Sequence, residues 1–202
     1  MEREDARLTV SRHAARLFLE HGVAATSGDD IAKAAGLSKR TVWRYFRSKE
    51  ACVEPLFAVS ALRFASVLRR WPHESSIEAH LHAAIRPHEQ TQQEIEDDVL
   101  AIRLIALIPD EPALRTAWLM SCHLGEAHLI AVVARRAHRP ASDFEVRLCA
   151  ASVMAAVRVV DEDVSTAAIT HSRTFTLPEV IDQLAKAIRT ACTLPICGPV
   201  EP

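Results

Sequence analysis

Apolar residues recur along this chain with the period of a helix, and nowhere with the alternation of a strand. Val10, Ala14, Leu17 and Phe18 follow the i, i+4, i+7, i+8 spacing that gathers one helix face into a core, and His21 and Gly22 supply a C-terminal stop. Helix starts recur as a polar cap with an acid three residues on: Ser27 and Asp30, Ser75 and Glu78, Ser142 and Glu145, Thr176 and Glu179. In each pair the cap oxygen accepts an orphan N–H, and the acid sits at the positive end of the helix. Ser48 and Asp110 are further caps, and Pro112 falls in a first turn, where a missing N–H costs nothing. The pattern predicts about nine helices, at 5–21, 28–35, 39–45, 49–71, 76–87, 92–107, 111–138, 143–165 and 177–192, with no strand and no repeat. The fold class is all-α. Residues 166–175 are expected to form an exposed loop, and the tail from Pro195 to Pro202 to fray.

Composition supports the pattern: five glycines and one tyrosine in 202 residues leave few turn- and β-formers, and 49% hydrophobic residues allow a sizeable core. No apolar run looks long enough for a membrane span, and the start Met1-Glu2-Arg3-Glu4-Asp5 is not a charged-then-apolar leader, so a cytoplasmic protein is expected. The five cysteines, Cys52, Cys122, Cys149, Cys192 and Cys197, show no C-x-x-C spacing and are expected as reduced thiols. Net charge is −2, but it is unevenly spread: residues 1–50 carry ten Lys/Arg against seven Asp/Glu, and the remainder is net −5. Between 39 and 50, Lys39, Arg40, Arg44, Arg47 and Lys49 face Glu50 alone, a compact footprint for phosphate.

That basic cluster falls inside a helix-turn-helix pattern at residues 27–46. Two short helices joined by a tight turn cross steeply, so each position has a steric task. Ala32 is small at the crossing, Gly36 stands where the chain reverses, and Ile31, Leu37 and Val42 pin the pair together. Ser38 caps the second helix, whose outward residues are Lys39, Arg40, Thr41, Arg44 and Tyr45. A short helix that is basic and polar outside suits the major groove of DNA. An ordinary helical hairpin with solvated basic residues explains the charge but not the full set of small, apolar and capping positions.

The run Thr26, Asp30, Ile31, Ala32, Ala35, Gly36, Leu37, Ser38, Thr41, Val42, Trp43, Arg44, Tyr45, Phe46, Ser48, Lys49 and Glu50, preceded by Ala14, Leu17, Glu20, His21 and Gly22, resembles the N-terminal signature of TetR/AcrR regulators. The likeness covers about the first 50 residues. Arg40 departs from the family's frequent glycine and Trp43 from its usual tyrosine, which leaves base preference open. The resemblance implies that Thr26 and Ser27 anchor phosphate, that Lys39, Arg40, Thr41, Trp43 and Arg44 face the groove beside the capping Ser38, and that Tyr45 and Lys49 grip the backbone. Arg40 and Arg44 are the candidates for base reading. It also implies domains at 1–47, for DNA, and 48–202, for ligand binding and dimerisation.

Residues 143–162 are apolar on two faces, one of Phe144, Leu148, Ala151, Ala155 and Val159, the other of Cys149, Val153, Ala156 and Val160. Val180, Ile181, Leu184, Ala187, Ile188 and Ala191 form a further apolar surface. So wide an arc needs covering on two sides. Burial deep in one monomer is one solution; the resemblance implies another, a homodimer through the helices near 143–165 and 177–192 on a palindromic double-stranded DNA operator. Between 99 and 133, Arg103, Trp118, Cys122, His123 and Glu126 stand among aliphatics, the mix expected of an apolar pocket for a small-molecule effector. Pro55 is expected to kink the fourth helix.

Neither cofactor nor catalysis is expected. His80 and His82 point to different helix faces, His123 and His128 are five apart, and no H-E-x-x-H, P-loop or G-x-S-x-G occurs. The expected function is a ligand-responsive DNA-binding regulator, most simply a repressor released by its effector. A metal sensor using Cys122, His123 and Glu126, and a helical association module without an operator, are the alternatives.

Overall fold

The helical periodicity resolves, in a computed structural model that describes residues 2–201, into nine α-helices and no strand among the described residues. They are α1 (Glu2–His21), α2 (Gly28–Ala34), α3 (Lys39–Tyr45), α4 (Glu54–Arg69), α5 (Ile77–Ala84), α6 (Gln92–Ile105), α7 (Pro112–Ala137), α8 (Phe144–Ile169) and α9 (Leu177–Ala191). Short 3-10 turns at Glu50–Val53 and Pro87–Glu89 precede α4 and α6. Met1 and Pro202, which bound the acidic start and the proline-rich tail, lie outside the described residues.

Several boundaries differ from the expected ones for local reasons. Pro55 does not interrupt a helix: α4 begins at Glu54, so the proline occupies the first turn, where no intrahelical N–H is missed. The neighbouring orphan amide, Leu56 N–H, donates to Ser11 Oγ on α1 at 3.1 Å. The cap of α5 is Ser76 rather than Ser75, and α8 is capped by Asp143 rather than Ser142. Of the expected caps, Ser27 and Thr176 close reciprocal boxes with Asp30 and Glu179; Thr91 and Glu94 form a third on α6 that the pattern reading passed over. Helix α8 runs through 166–169, leaving a loop only from Thr170, because Ser165 still buries against the core.

The chain groups into two compact units, one of residues 1–60 with 91–121, the other of 61–90 with 122–202. The first holds α1 to α3, the start of α4, α6 and the start of α7. Val10, Ala14 and Phe18 of α1, Ile31 of α2, Val42 of α3 and Leu56 and Phe57 of α4 are buried in this unit. An ion pair on a buried carboxylate fastens α1 to α6: half-buried Arg12 donates from Nε and Nη2 to Asp97 at 2.8 Å each, and Gln93 donates to the same carboxylate. Two parallel bonds fix both planes, the geometry in which a buried carboxylate is tolerated.

The second unit packs α9 against α8 and α5. Its tail is anchored, not frayed. Arg136, only 1% exposed, donates to the carbonyls of Ile196, Gly198, Pro72 and Ser75 at 2.9, 2.7, 2.6 and 3.3 Å. Its guanidinium also lies 3.7 Å over the Trp71 ring. Ile77 N–H and Val200 N–H add main-chain bonds to Cys197 and His73, and Ile196 and Cys197 are buried as a result.

Two stretches, Glu50–Arg69 and Pro112–Ala137, reach the length and mean hydropathy of a membrane span, contrary to the expectation of no such run. Each buries part of its surface inside the protein, at Leu56, Phe57 and Leu68 in one and Leu114, Trp118 and Leu129 in the other. A core helix needs the same apolarity as a span.

Candidate nucleic-acid interface

The interface is assembled by short-range rules. Helix α1 stops at Gly22, whose φ of 83° lets its N–H turn back to Phe18 O. Ser27 then starts α2: its Oγ accepts from Asp30 N–H while Asp30 accepts from Ser27 N–H at 2.9 Å. These hydrogen bonds from the Ser27 hydroxyl and amide hold the Asp30 carboxyl below its ordinary value. Helix α2 ends at Gly36, with φ of 65°; Gly36 N–H donates to Lys33 O and Leu37 N–H to Ala32 O, the paired bonds of a left-handed helix stop. Ser38 caps α3 by accepting from Thr41 N–H at 3.1 Å, and its hydroxyl contacts that of Thr41 at 2.9 Å. Ile31, Ala32 and Val42 are buried where the two helices meet.

What remains outside is Lys39, Arg40, Trp43 and Arg44, all exposed on one seven-residue helix, with Thr41 and Tyr45 half-buried beside them. Lys39 Nζ meets Asp29 at 3.0 Å, an exposed pair of little energetic weight that DNA displaces easily. Arg40 faces solvent. The Arg44 guanidinium sits 5.2 Å above the Tyr45 ring and donates to its hydroxyl at 3.4 Å, so it is held partly in place before any ligand arrives.

Thr26, Lys49 and Ser27 are also engaged internally. Thr26 is buried, and its hydroxyl donates to Gly22 O at 2.9 Å. Lys49 Nζ donates to the carbonyls of Val23, Thr26 and Ala24, tying the α1–α2 connection from across the head. Ser27 faces solvent but shares its hydroxyl with Asp30. Sequence reasoning also missed Gly28. A Cβ there would lie 2.1 Å from Trp43 Cζ2, so the Trp43 indole occupies the place of a side chain at the start of α2. No spacing rule signals that contact.

The five predicted ligand residues are divided between the compact units. In the first, Arg103 is exposed on α6, while Trp118 is buried edge-on against Phe57 at 5.3 Å. In the second, Cys122 is buried, with burial pushing its thiol up to about 12; Glu126 is half-buried and His123 exposed. A groove on the first unit is lined by Arg16, Gln92, Ile95, Glu96, Val99 and Leu100, and includes none of the five. Among the described residues no group of three His, Cys, Asp or Glu side chains is disposed to hold a metal.

A capped basic helix crossing its predecessor at a positive-φ glycine defines a helix-turn-helix DNA-binding protein. Residues 12–56 match the model of bacterial regulatory proteins of the TetR family, and residues 74–191, more than half of the chain, match that of the MftR C-terminal domain. The chain belongs to the TetR family of transcriptional regulators, which are not enzymes. Over 136 residues it is 29% identical to a Mycobacterium tuberculosis protein assigned as the mycofactocin biosynthesis transcriptional regulator MftR, covering 67% of each chain. Salmonella enterica GusR shares the fold at 20% identity and a TM-score of 0.53, over 92% of this chain and 96% of that one. A Rhodococcus sp. protein assigned to the TetR family does so at 16% identity and a TM-score of 0.55, over 95% and 99%.

Proposed function

We propose that this regulator is a cytoplasmic repressor that binds a palindromic operator as a two-fold dimer and is released by a small-molecule effector. The observation that carries the reading is the division of α8 into two apolar faces. Cys149, Val153 and Val160 are buried, whereas Phe144 at 72% and Val159 at 54%, together with Leu148, stand in solvent. An apolar stripe this exposed along a long helix fits burial against a second copy. A two-fold pair presents two α3 helices to successive major grooves, and an operator of matching symmetry follows.

In this reading Arg40 and Arg44 meet base edges and Trp43 fills the groove. Lys39 and Tyr45 contact phosphate, Ser27, Ser38 and Thr41 add donors at the helix starts, and Thr26 and Lys49 act by fixing the connection between α1 and α2. The domains divide at 47/48. Arg103 and Trp118 in the first unit, and Cys122, His123 and Glu126 in the second, are the effector candidates to test. The relation to MftR makes mycofactocin biosynthesis genes the first targets to test.

Fluorescence anisotropy with DNA from upstream of the protein's own gene, titrated at several salt concentrations, tests the reading. Tight binding with a steep salt slope is expected. Arg44→Ala is expected to lose tenfold or more in affinity, the order of one base contact, and to blur discrimination between operator and scrambled DNA. Salt-independent or absent binding would point to an association module instead, and unchanged affinity and specificity in Arg44→Ala would remove that side chain from base reading.

A further inference from the structure

Helix α6 is apolar on two faces. Leu100, Ala101, Leu104 and Ile105 are buried, whereas Ile95, Val99 and Ile102, spaced i, i+4 and i+7, stand in solvent. One exposed aliphatic side chain needs no explanation, but three in register along a helix mark a surface that something else covers. Beside α1, Ile95, Val99 and Leu100 line a groove of about 320 Å³, together with Arg16 of α1 and Gln92 and Glu96 of α6. That volume is at the small end of the ~300–1,000 Å³ usual for small-molecule sites. All six residues belong to the first compact unit.

The charges around the groove are unequally satisfied. Arg12, one turn before Arg16 on α1, is taken up by Asp97 through two parallel bonds. Glu96 is exposed, accepts from Gln92 Nε2 at 3.1 Å, and its charge acts on Arg12. Arg16 is half-buried and makes no ion pair among the described residues. Its charge falls on a neighbour instead: burial, and then Arg16, hold the His13 imidazole below its ordinary value. A partly buried cation without a counter-ion is an electrostatic cost that a bound anion relieves.

We propose that this groove binds a small amphipathic carboxylate, with its carboxyl group on the Arg16 guanidinium and its hydrocarbon part on Ile95, Val99 and Leu100. The planar guanidinium fork matches a carboxylate through two parallel hydrogen bonds, while the aliphatic wall takes the apolar body. Glu96 sets the orientation, since it disfavours an anion at the α6 wall and leaves the α1 wall as its place. The groove is separate from the five effector candidates, and the inference concerns binding alone, so it does not rest on operator recognition. An occupant bridges α1 and α6 one turn from the Arg12–Asp97 pair, and so stiffens the joint between these helices.

The test is calorimetric titration of the full-length protein with octanoate and 3-phenylpropanoate, and with octanamide and octylamine as neutral and cationic counterparts of the first. Saturable binding of at least one carboxylate is expected, with the amide weaker by about tenfold or more, the scale of a charge-assisted hydrogen bond, and the amine weaker still. Arg16→Gln is expected to weaken the carboxylate by a similar factor, and Val99→Gln to weaken acid and amide alike. Glu96→Gln is expected to leave carboxylate binding unchanged or stronger. Hydrogen exchange in the presence of the bound acid is expected to slow in α1 and α6. Should Arg16→Gln fail to fold, the acid, amide and amine series on the wild type decides. Absence of saturable carboxylate binding, an amide or amine that binds as tightly as the acid, unchanged affinity in folded Arg16→Gln, or exchange slowed only outside α1 and α6 would overturn the proposal.

Discussion

The helix-turn-helix and the C-terminal tail are both short segments with little core of their own, and they are ordered by opposite means. In the head most of the ordering bonds are local: Ser27 to Asp30 spans three residues, Gly22 N–H returns to Phe18, and Gly36 N–H to Lys33, with Lys49 reaching back to the Val23 and Thr26 carbonyls as a longer brace. In the tail one buried cation does the ordering across sequence separations of 60 to 64, gathering carbonyls of Ile196, Gly198, Pro72 and Ser75 around Arg136. Local ordering leaves the basic outer surface of α3 free for a partner, since the caps take up Ser27, Asp30 and Ser38 and the turns take up backbone groups. Long-range ordering ties up a charged side chain entirely, and in exchange buries Ile196 and Cys197. A segment that must present side chains to DNA favours the first; one that closes a core favours the second.

The sharpest way to break this contrast is Arg136→Leu. The substitution removes all four donated bonds and leaves inward-facing carbonyls short of partners, a loss of about 3 kcal/mol or more. Chemical denaturation is expected to show it, with hydrogen exchange accelerated at Val200 and Ile77 while the amides of α2 and α3 keep their protection. A loss below about 1 kcal/mol, with Val200 still protected, would mean that apolar contacts and not the cation hold the tail.

Gly28→Ala probes the head, where packing intrudes on an otherwise local design. The new Cβ cannot share space with an indole carbon 2.1 Å away, so the Trp43 ring must leave the start of α2. A cost of about 1–2 kcal/mol is expected, typical of overpacking a fitted contact. In a Trp43→Ala background the same change is expected to stabilise slightly, by about 0.5 kcal/mol, because alanine narrows the unfolded ensemble. That reversal of sign is the test: additive effects in the double-mutant cycle would show that Trp43 and Gly28 are not coupled.

The difference between the regions also decides what the sequence discloses. The caps at Ser27, Ser38 and Thr176, the turn at Gly36 and the outward basic positions all act within a few residues, so spacing alone reveals them. Adjacent candidates blur the register, as at Ser75 and Ser76, where Glu78 is engaged by Arg189 instead of closing a box. Pro55 illustrates the same limit, since a helix start at Glu54 rather than 49 turns an interior proline into a first-turn one. Arg136 left no signal because its partners are main-chain carbonyls, which every residue has. The roles of Thr26 and Lys49 as internal braces were hidden for the same reason. Cys149 and Cys192, whose sulfurs lie 3.3 Å apart, meet only through the packing of α8 and α9, so their spacing reads as scatter.

The smallest effect expected belongs to a tail-side link that solvent reaches. Arg189 donates to both oxygens of Glu78 at 2.6 and 2.7 Å, joining α9 to α5, and these bonds hold the Glu78 carboxyl down to about 2 from its ordinary 4.5. Both side chains remain substantially exposed, so water screens the pair and its contribution is about 0.5–1 kcal/mol. Because the folded value lies below the unfolded one, the unfolded chain takes up the proton first as pH falls. The stabilisation is therefore complete above the unfolded value and fades as pH drops through it toward about 2. Glu78→Gln is expected to lower the unfolding free energy by that amount at neutral pH, with the deficit shrinking toward zero by about pH 2 and in high salt. If the deficit persists in acid and in salt, the link between α5 and α9 is one of packing rather than charge, and the tail side of the molecule is held still more completely by its buried contacts than Arg136 alone implies.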